Sequence, residues 1–76
     1  MVFQILNKLK WTSQLTNAKI LILHRGAPEN KKTIEGRRVT EVKRSYFLYE
    51  EGGKETFIPN HRVLEIKINN RIIWKR

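Results

Sequence analysis

Residues 18–28 read AKILILHRGAP, and this stretch decides the fold. The run AKILIL carries apolar residues at both odd and even positions, so a strand formed by it has little polar surface on either face. Such a strand is typical of the centre of a sheet or of a sheet face covered by a helix. Gly26 and Pro28 end the run, because both residue types are typical of turns. We therefore predict a central or helix-covered strand over residues 18–23.

The first ten residues predict an amphipathic helix. Its apolar residues follow the i, i+3, i+4, i+7 spacing that places side chains on one helix face: Val2, Ile5, Leu6 and Leu9. We expect this stripe to be buried against the strands that follow.

Short strands are predicted at close spacing in the second half of the chain. The segment 29–38, ENKKTIEGRR, separates them from the first strand and is predicted to be a loop because of its charge. Glu51-Gly52-Gly53 is a hairpin signal between two of the later strands. The predicted strands cover residues 39–42, 46–49, 55–58, 63–68 and 71–75.

The last hairpin has a predicted register. Asn69-Asn70 is a two-residue turn, since asparagine tolerates the positive φ that such turns require. This turn is expected to place Ile66 opposite Ile73 on one face and Lys67 opposite Ile72 on the other.

One helix followed by about six short strands predicts an α+β fold. We expect the N-terminal helix to pack on a small, strongly bent antiparallel sheet or a partly open barrel. A chain of 76 residues has room for one hydrophobic core, so residues 1–76 are predicted to be a single domain.

The charge of the chain indicates the class of its partner. Sixteen Lys and Arg residues against seven acidic residues leave a formal charge of +9. Like charges of this number repel one another in the folded protein, and a polyanionic partner relieves that repulsion. Nucleic acid is favoured over a membrane, because the chain has no Lys-rich amphipathic helix with a broad apolar face and no bilayer-spanning run.

The residue types that are missing exclude several kinds of site. Without cysteine the chain has no disulfide and no thiolate zinc site, and it is compatible with a reducing cytoplasm, where we expect it to lie. All acidic residues are glutamate and only two histidines are present, so no metal site and no cofactor are predicted. A phosphate-binding glycine motif is also lacking, and no catalytic residue is assigned.

Two His-Arg pairs, His24-Arg25 and His61-Arg62, each stand between a turn and an apolar run. Arginine offers a planar fork of donors that matches two phosphate oxygens, and an imidazole adds a further donor. Gly26 lets the backbone approach a ligand closely. These residues are predicted to bind an RNA phosphate. The alternative is structural: His24 bonded to a backbone carbonyl, Gly26 required by its turn, and His61 acting as a cap.

A basic segment is predicted to hold the rest of an RNA strand. It contains Lys31, Lys32, Arg37 and Arg38, which can neutralise phosphates without reading sequence. The alternative is an ordinary solvated loop. Further candidates are aromatic residues, because exposed aromatic rings stack on bases: Trp11, Tyr46, Tyr49 and Trp74. Since the core needs most of them, we expect at most one or two to be exposed.

Four segments resemble a family of small archaeal proteins, the RNA cyclic group end recognition domain family. They are ILNKL at 5–9, HRGAP at 24–28, IPNHRVLEI at 58–66 and IIWKR at 72–76. The resemblance implies recognition of RNA ends that carry a 2′,3′-cyclic phosphate, a link to RNA processing or repair, and other RNA-processing proteins as partners. By position it maps onto His24, Arg25, Gly26, Pro59, His61 and Arg62, with Asn7 and Lys8 as weaker candidates.

The sequence therefore predicts an RNA-binding module for phosphorylated or cyclic-phosphate ends. Two alternatives remain open. A small RNA-cleaving or cyclic-phosphodiesterase enzyme would use His24 and His61 as general acid and base. A basic ribonucleoprotein interaction module would contact RNA only incidentally.

Overall fold

A computed structural model describes residues 2–76, and the first residue of the predicted helix lies outside that range. Helix α1 spans Val2–Trp11 and precedes seven strands, of which β1 is Ala18–Leu23. The others are β2 Lys31–Glu35, β3 Val39–Val42, β4 Tyr46–Glu51, β5 Lys54–Pro59, β6 Val63–Ile68 and β7 Arg71–Lys75. Single 3-10 turns lie at Leu15–Asn17, Pro28–Asn30, Gly36–Arg38 and Asn60–Arg62. The predicted α+β class is confirmed.

The strands form two antiparallel sheets. One has the order β2-β1-β6-β7 and the other has the order β3-β4-β5. Over residues 2–76 the strands do not close into a barrel. No helix in that range is long and apolar enough to cross a membrane.

Strand β1 is central, as the sequence predicts. It pairs with β2 on one side and with β6 on the other. Ala18, Ile20 and Ile22 are buried, whereas Leu21 and Leu23 lie on the opposite face and are half-buried or exposed. The core therefore lies on one face of this sheet.

The predicted helical stripe is also confirmed. Val2, Leu6 and Leu9 are buried, and Ile5 packs against the same core. Phe47 of β4 is fully buried in that core, so α1 and both sheets share one apolar interior.

The prediction of a loop over residues 29–38 is wrong, because β2 occupies half of it. Ile34 pairs with Ile20 and is buried, while Lys32 pairs with Ile22. β2 is the edge strand of its sheet, and charged residues, lysine above all, are typical of edge strands because they discourage pairing with another chain. One buried isoleucine in KKTIE is enough, and strand alternation is hard to recognise from it.

Gly36 closes the turn after β2 against the turn at Leu15–Asn17. A Cβ atom at this position would lie 2.0 Å from the carbonyl oxygen of Leu15 and 3.1 Å from the Cβ atom of Ala18. Only glycine lets the two backbone segments approach this closely.

The last hairpin agrees with the predicted register at one pair and differs at the other. Lys67 lies opposite Ile72 as expected, but Ile66 lies opposite Trp74 and not opposite Ile73. The strands shift register there, which leaves Ile73 as the extra residue of a β-bulge.

A second bulge lies in β6, where it pairs with β1. Leu21 is opposite Glu65, yet Ile22 is opposite Val63, so Leu64 is the extra residue. This shift brings Val63 into the core, where it is fully buried. It also sets where the chain enters β6.

Candidate nucleic-acid interface

The loop between β1 and β2 is held by its own backbone hydrogen bonds. The His24 N–H donates to the Asn30 carbonyl at 2.7 Å, and the Ala27 N–H donates to the His24 carbonyl at 3.2 Å. Gly26 has φ +94°, which L side chains rarely adopt, so the turn itself requires glycine. No atom lies within 4 Å of the Cβ position at Gly26, and the loop surface is open there. Arg25 is exposed in this turn.

The turn Asn60–Arg62 is anchored to the hairpin that contains β4. The Asn60 N–H donates to the Ser45 carbonyl at 2.9 Å, and its side-chain Nδ2 donates to the Arg44 carbonyl at 3.0 Å. With Val63 buried on the other side, the exposed side chains of His61 and Arg62 stand on a fixed backbone.

The two His-Arg corners lie at the same end of the four-stranded sheet. Ile22 pairs with Val63 in antiparallel strands, so the end of β1 lies beside the start of β6. There Arg25 and Arg62 line one depression of about 500 Å³. We call this depression the arginine corner; it is lined by Leu23, Arg25, Asn30 and Arg62.

A larger depression lies on the other side of the same turn. Its volume is about 680 Å³, and it runs along the first turn of α1. It contains two aromatic rings, an imidazole and two guanidinium groups. We call it the helix groove; it is lined by residues 2–4 with Arg44, Asn60, His61, Trp74 and Arg76.

The two histidines do not line the same depression. His61 lines the helix groove, and its carbonyl accepts a hydrogen bond from the Arg76 guanidinium. His24 is half-buried and lines neither the arginine corner nor the helix groove. The hydrogen bond from Lys32 is the main cause of the lowered pKa of Glu51, and His24 lies close enough to that carboxyl to be a smaller cause.

The cations of the predicted RNA-strand segment are mostly paired with glutamates. Lys32 Nζ lies 2.8 Å from Glu51 Oε1, and this hydrogen bond raises the pKa of Lys32. Arg37 and Arg38 both bind Glu35, at 2.9 Å and 3.3 Å. The Arg37 hydrogen bond is the main reason why the pKa of Glu35 is lowered.

Five cations at the end of the sheet that holds the arginine corner have no such partner within residues 2–76. Lys31 pairs with Leu23 in the strand ladder, which places it at that end. Without a neighbouring carboxylate, the positive potential of these groups is available to an anion in solution. They are Arg25, Lys31, Arg44, Arg62 and Arg76.

Sequence reasoning missed Arg44 and Arg76. Arg44 precedes β4 and lines the helix groove, and its carbonyl accepts a hydrogen bond from Asn60. No local sequence pattern predicts this contact, because the two residues are distant in sequence. Arg76 follows β7, and its N–H donates to the Leu64 carbonyl at 2.9 Å. The predicted hairpin was a signal for Arg76, since antiparallel pairing returns the end of β7 to the start of β6.

The weaker helical candidates lie elsewhere. Asn7 is half-buried, and Lys8 lines a separate depression with Ile68 and Ile73. Trp11 is 80% exposed but is the last residue of α1. At a rise of about 1.5 Å per residue it lies about 10 Å along the helix axis from Gln4, the nearest helical residue of the helix groove.

The comparison with known proteins covers the whole chain. Residues 1–76 match the family model described as the MJ1316 RNA cyclic group end recognition domain. The chain belongs to this family. Two of the four segments that carry the resemblance, HRGAP and IPNHRVLEI, contain both arginines of the arginine corner.

Relatives of this protein come from several archaea. The UPF0248 protein MJ1316 of Methanocaldococcus jannaschii is 41% identical over 80 residues, which covers 100% of this chain and 94% of the relative. A UPF0248 protein of Methanococcus vannielii is 39% identical over 69 residues, covering 88% and 78%. One of Metallosphaera sedula is 35% identical over 74 residues, covering 93% and 86%. No solved structure matches the chain.

Proposed function

We propose that this protein binds RNA ends that carry a phosphate or a 2′,3′-cyclic phosphate, and that the arginine corner holds the end group. The observation that carries the proposal is that Arg25 and Arg62 line one depression and neither has a carboxylate partner within residues 2–76. The description of the family, RNA cyclic group end recognition, supports the same ligand class.

The chemistry of an RNA end fits a depression with two guanidinium groups. A terminal or cyclic phosphate exposes oxygens that an internal phosphodiester shares with the chain, so two arginine forks can approach it from different sides. Asn30 adds a neutral side chain, whose Oδ1 lies 3.5 Å from the Gly26 N–H. The amide Nδ2 of Asn30 has no partner within residues 2–76 and can donate to the ligand.

The remaining contacts have separate roles. Lys31 and Arg44 hold internal phosphates of the strand that leads to the end, through charge alone. His61 adds a donor beside the end group, and His24 supports the loop that carries Arg25. Binding of this kind delivers an RNA end to processing or repair enzymes, which are the partners we expect.

The decisive experiment compares one labelled oligonucleotide with three 3′ ends: 2′,3′-cyclic phosphate, phosphate and hydroxyl. We expect tighter binding of both phosphate-bearing ends, measured by fluorescence anisotropy. Arg62→Ala should remove most of this preference. Arg71→Ala is the matched control, because Arg71 is exposed, unpaired within residues 2–76 and outside both depressions. Equal losses for all three ends in Arg62→Ala would reduce Arg62 to a general electrostatic contact.

The same RNA tests the enzymatic alternative. General acid–base cleavage needs both imidazoles within hydrogen-bond reach of one phosphodiester. His24 and His61 line no common depression, which favours binding without chemistry. We expect the cyclic-phosphate end to survive prolonged incubation with the protein. Turnover that disappears in both His→Ala variants would overturn this part of the proposal.

A further inference from the structure

We infer that the helix groove is a nucleobase site, which receives the base of the nucleotide whose phosphate lies in the arginine corner. This inference rests on the proposed function and assigns a role to three groove residues that the proposed function leaves unused, Phe3, Asn60 and Trp74. It concerns the groove lined by Phe3, Arg44, Asn60, His61, Trp74 and Arg76.

The shape and lining of the helix groove suit a flat aromatic ligand. Its volume of about 680 Å³ falls within the range of about 300–1,000 Å³ that is usual for small-molecule sites. Phe3 and Trp74 are both half-buried, so each offers part of a ring to the groove, and Trp74 is held by its packing against the core. Rings held in this way stack on bases without a further loss of side-chain freedom.

The helix groove and the arginine corner are lined by consecutive residues of one turn. His61 lines the groove and Arg62 lines the corner, and consecutive Cα atoms are about 3.8 Å apart. The base and the 3′-phosphate of a ribonucleotide are attached to the same ribose. One nucleotide can therefore reach both depressions across a single turn of the protein.

A polar group beside the groove also lacks a partner. Asn60 Oδ1 is buried and has no hydrogen-bond partner within residues 2–76. Its orientation is fixed, because the Nδ2 of the same side chain donates to the carbonyls of Lys43 and Arg44. A buried acceptor without a donor is unfavourable, and a small opening of the groove wall at Asn60 would let this oxygen accept an N–H or amino group of a base.

The charge around the groove favours the sugar-phosphate part of the same ligand. Arg44 and Arg76 line the groove and have no ion pair within residues 2–76. The first turn of α1 contains no acidic residue, so the positive end of the helix dipole is not neutralised. An apolar peptide would leave these charges without partners, whereas a nucleotide supplies both the ring and the negative charge.

The experiment places 2-aminopurine at the 3′-terminal position of a cyclic-phosphate oligonucleotide, and in a second oligonucleotide four positions upstream. In the wild-type protein we expect the emission of the terminal probe to change on binding and that of the upstream probe to stay constant. Phe3→Ala should remove the change and weaken binding about five- to hundredfold, the range found when a stacking ring is truncated.

Phe57→Ala is the matched control, because Phe57 is a 53% exposed aromatic residue that lines neither depression. Phe3→Leu tests the ring itself in a variant that keeps an apolar side chain, and it should lose the change in emission as well. End-dependent binding with an unchanged terminal probe, or an equal loss in Phe57→Ala, would overturn the base site alone. Equal binding of phosphate-bearing and hydroxyl ends by the wild-type protein would instead overturn the proposed function.

Discussion

His61 and Arg62 are consecutive residues, yet they line two different depressions. His61 belongs to the helix groove with Trp74, whereas Arg62 belongs to the arginine corner with Arg25. The 3-10 turn that carries them therefore separates the arginine corner from the helix groove. Their variants should consequently affect different parts of one ligand.

The first prediction concerns the coupling of the two arginines. If Arg25 and Arg62 hold the same phosphate, Arg25→Ala, Arg62→Ala and the double variant should not be additive for a 3′-phosphate oligonucleotide. Contacting groups typically show a coupling of about 0.5–3 kcal/mol in such a cycle. The measurement is anisotropy at fixed salt, repeated with a 3′-hydroxyl end, for which we expect additive losses. Additive losses with the phosphate end would show that the arginines act on separate groups.

The second prediction separates free cations from paired ones by salt dependence. Each phosphate contact on a single strand contributes about 0.7 to the slope of log K against log salt. Arg44→Ala should lower the slope by about this amount, because Arg44 has no ion pair within residues 2–76. Arg37→Ala should change it less, since Arg37 is bound to Glu35 at 2.9 Å. A larger change in the salt slope for Arg37→Ala than for Arg44→Ala would mean that the basic segment is the main contact with the RNA strand.

The third prediction concerns acid stability through the link between Lys32 and Glu51. The Lys32 hydrogen bond holds the pKa of Glu51 below its ordinary value of 4.5. A depressed pKa means that the stabilisation is complete above pH 4.5 and is lost as the pH falls through the lower folded-state value. Glu51→Gln should therefore lower the Tm at pH 7, and the difference from the wild type should shrink below pH 4.5.

Glu50→Gln is the control, because this substitution removes the same negative charge. Glu50 is exposed and has no ion pair within residues 2–76. Thermal unfolding from pH 2 to pH 8 gives the comparison for both variants. A Tm difference for Glu51→Gln that stays constant across this range would contradict the assigned link.

The fourth prediction concerns Gly36. An added methyl group would lie 2.0 Å from the Leu15 carbonyl oxygen, which is backbone and cannot rotate away. Gly36→Ala should therefore reduce the free energy of unfolding by about 1–3 kcal/mol or more, as overpacking does. Chemical denaturation measures the loss. An unchanged denaturation midpoint would mean that the turns at Leu15–Asn17 and Gly36–Arg38 can move apart without loss of stability.

Hydrophobic spacing is a good guide to the elements whose apolar residues repeat. It correctly predicts α1 from its four-residue stripe and β1 as a central strand, because both elements bury a continuous set of side chains. It misses β2, where Ile34 is the one buried residue. Lys32 of the same strand is held by an ion pair with Glu51, which is distant in sequence and therefore invisible to hydrophobic spacing. It also misses the bulge at Ile73, since a period of two leaves no place for an extra residue.

The candidate site is only half visible in the sequence. Arg25 and Arg62 stand out because each follows a histidine at the end of a strand. Arg44 gives no such signal, because it reaches the helix groove only through the packing of two sheets and a helix. Trp74 is one of four aromatic candidates in the sequence, and tertiary structure alone shows that it is the one that lines the helix groove.

The walls of the helix groove come from three parts of the fold that no strand ladder joins: α1, the four-stranded sheet through Trp74, and the three-stranded hairpin region through Arg44. Hydrogen bonds of Asn60 tie the two sheets to each other, whereas within residues 2–76 α1 is held against them by apolar packing alone. A slight slide of the helix therefore changes the width of the groove. The arginine corner lies where β1 and β6 meet, and the backbones of these strands are bonded to each other. Under the proposed function, a rigid site for the phosphate lies beside an adjustable site for the base.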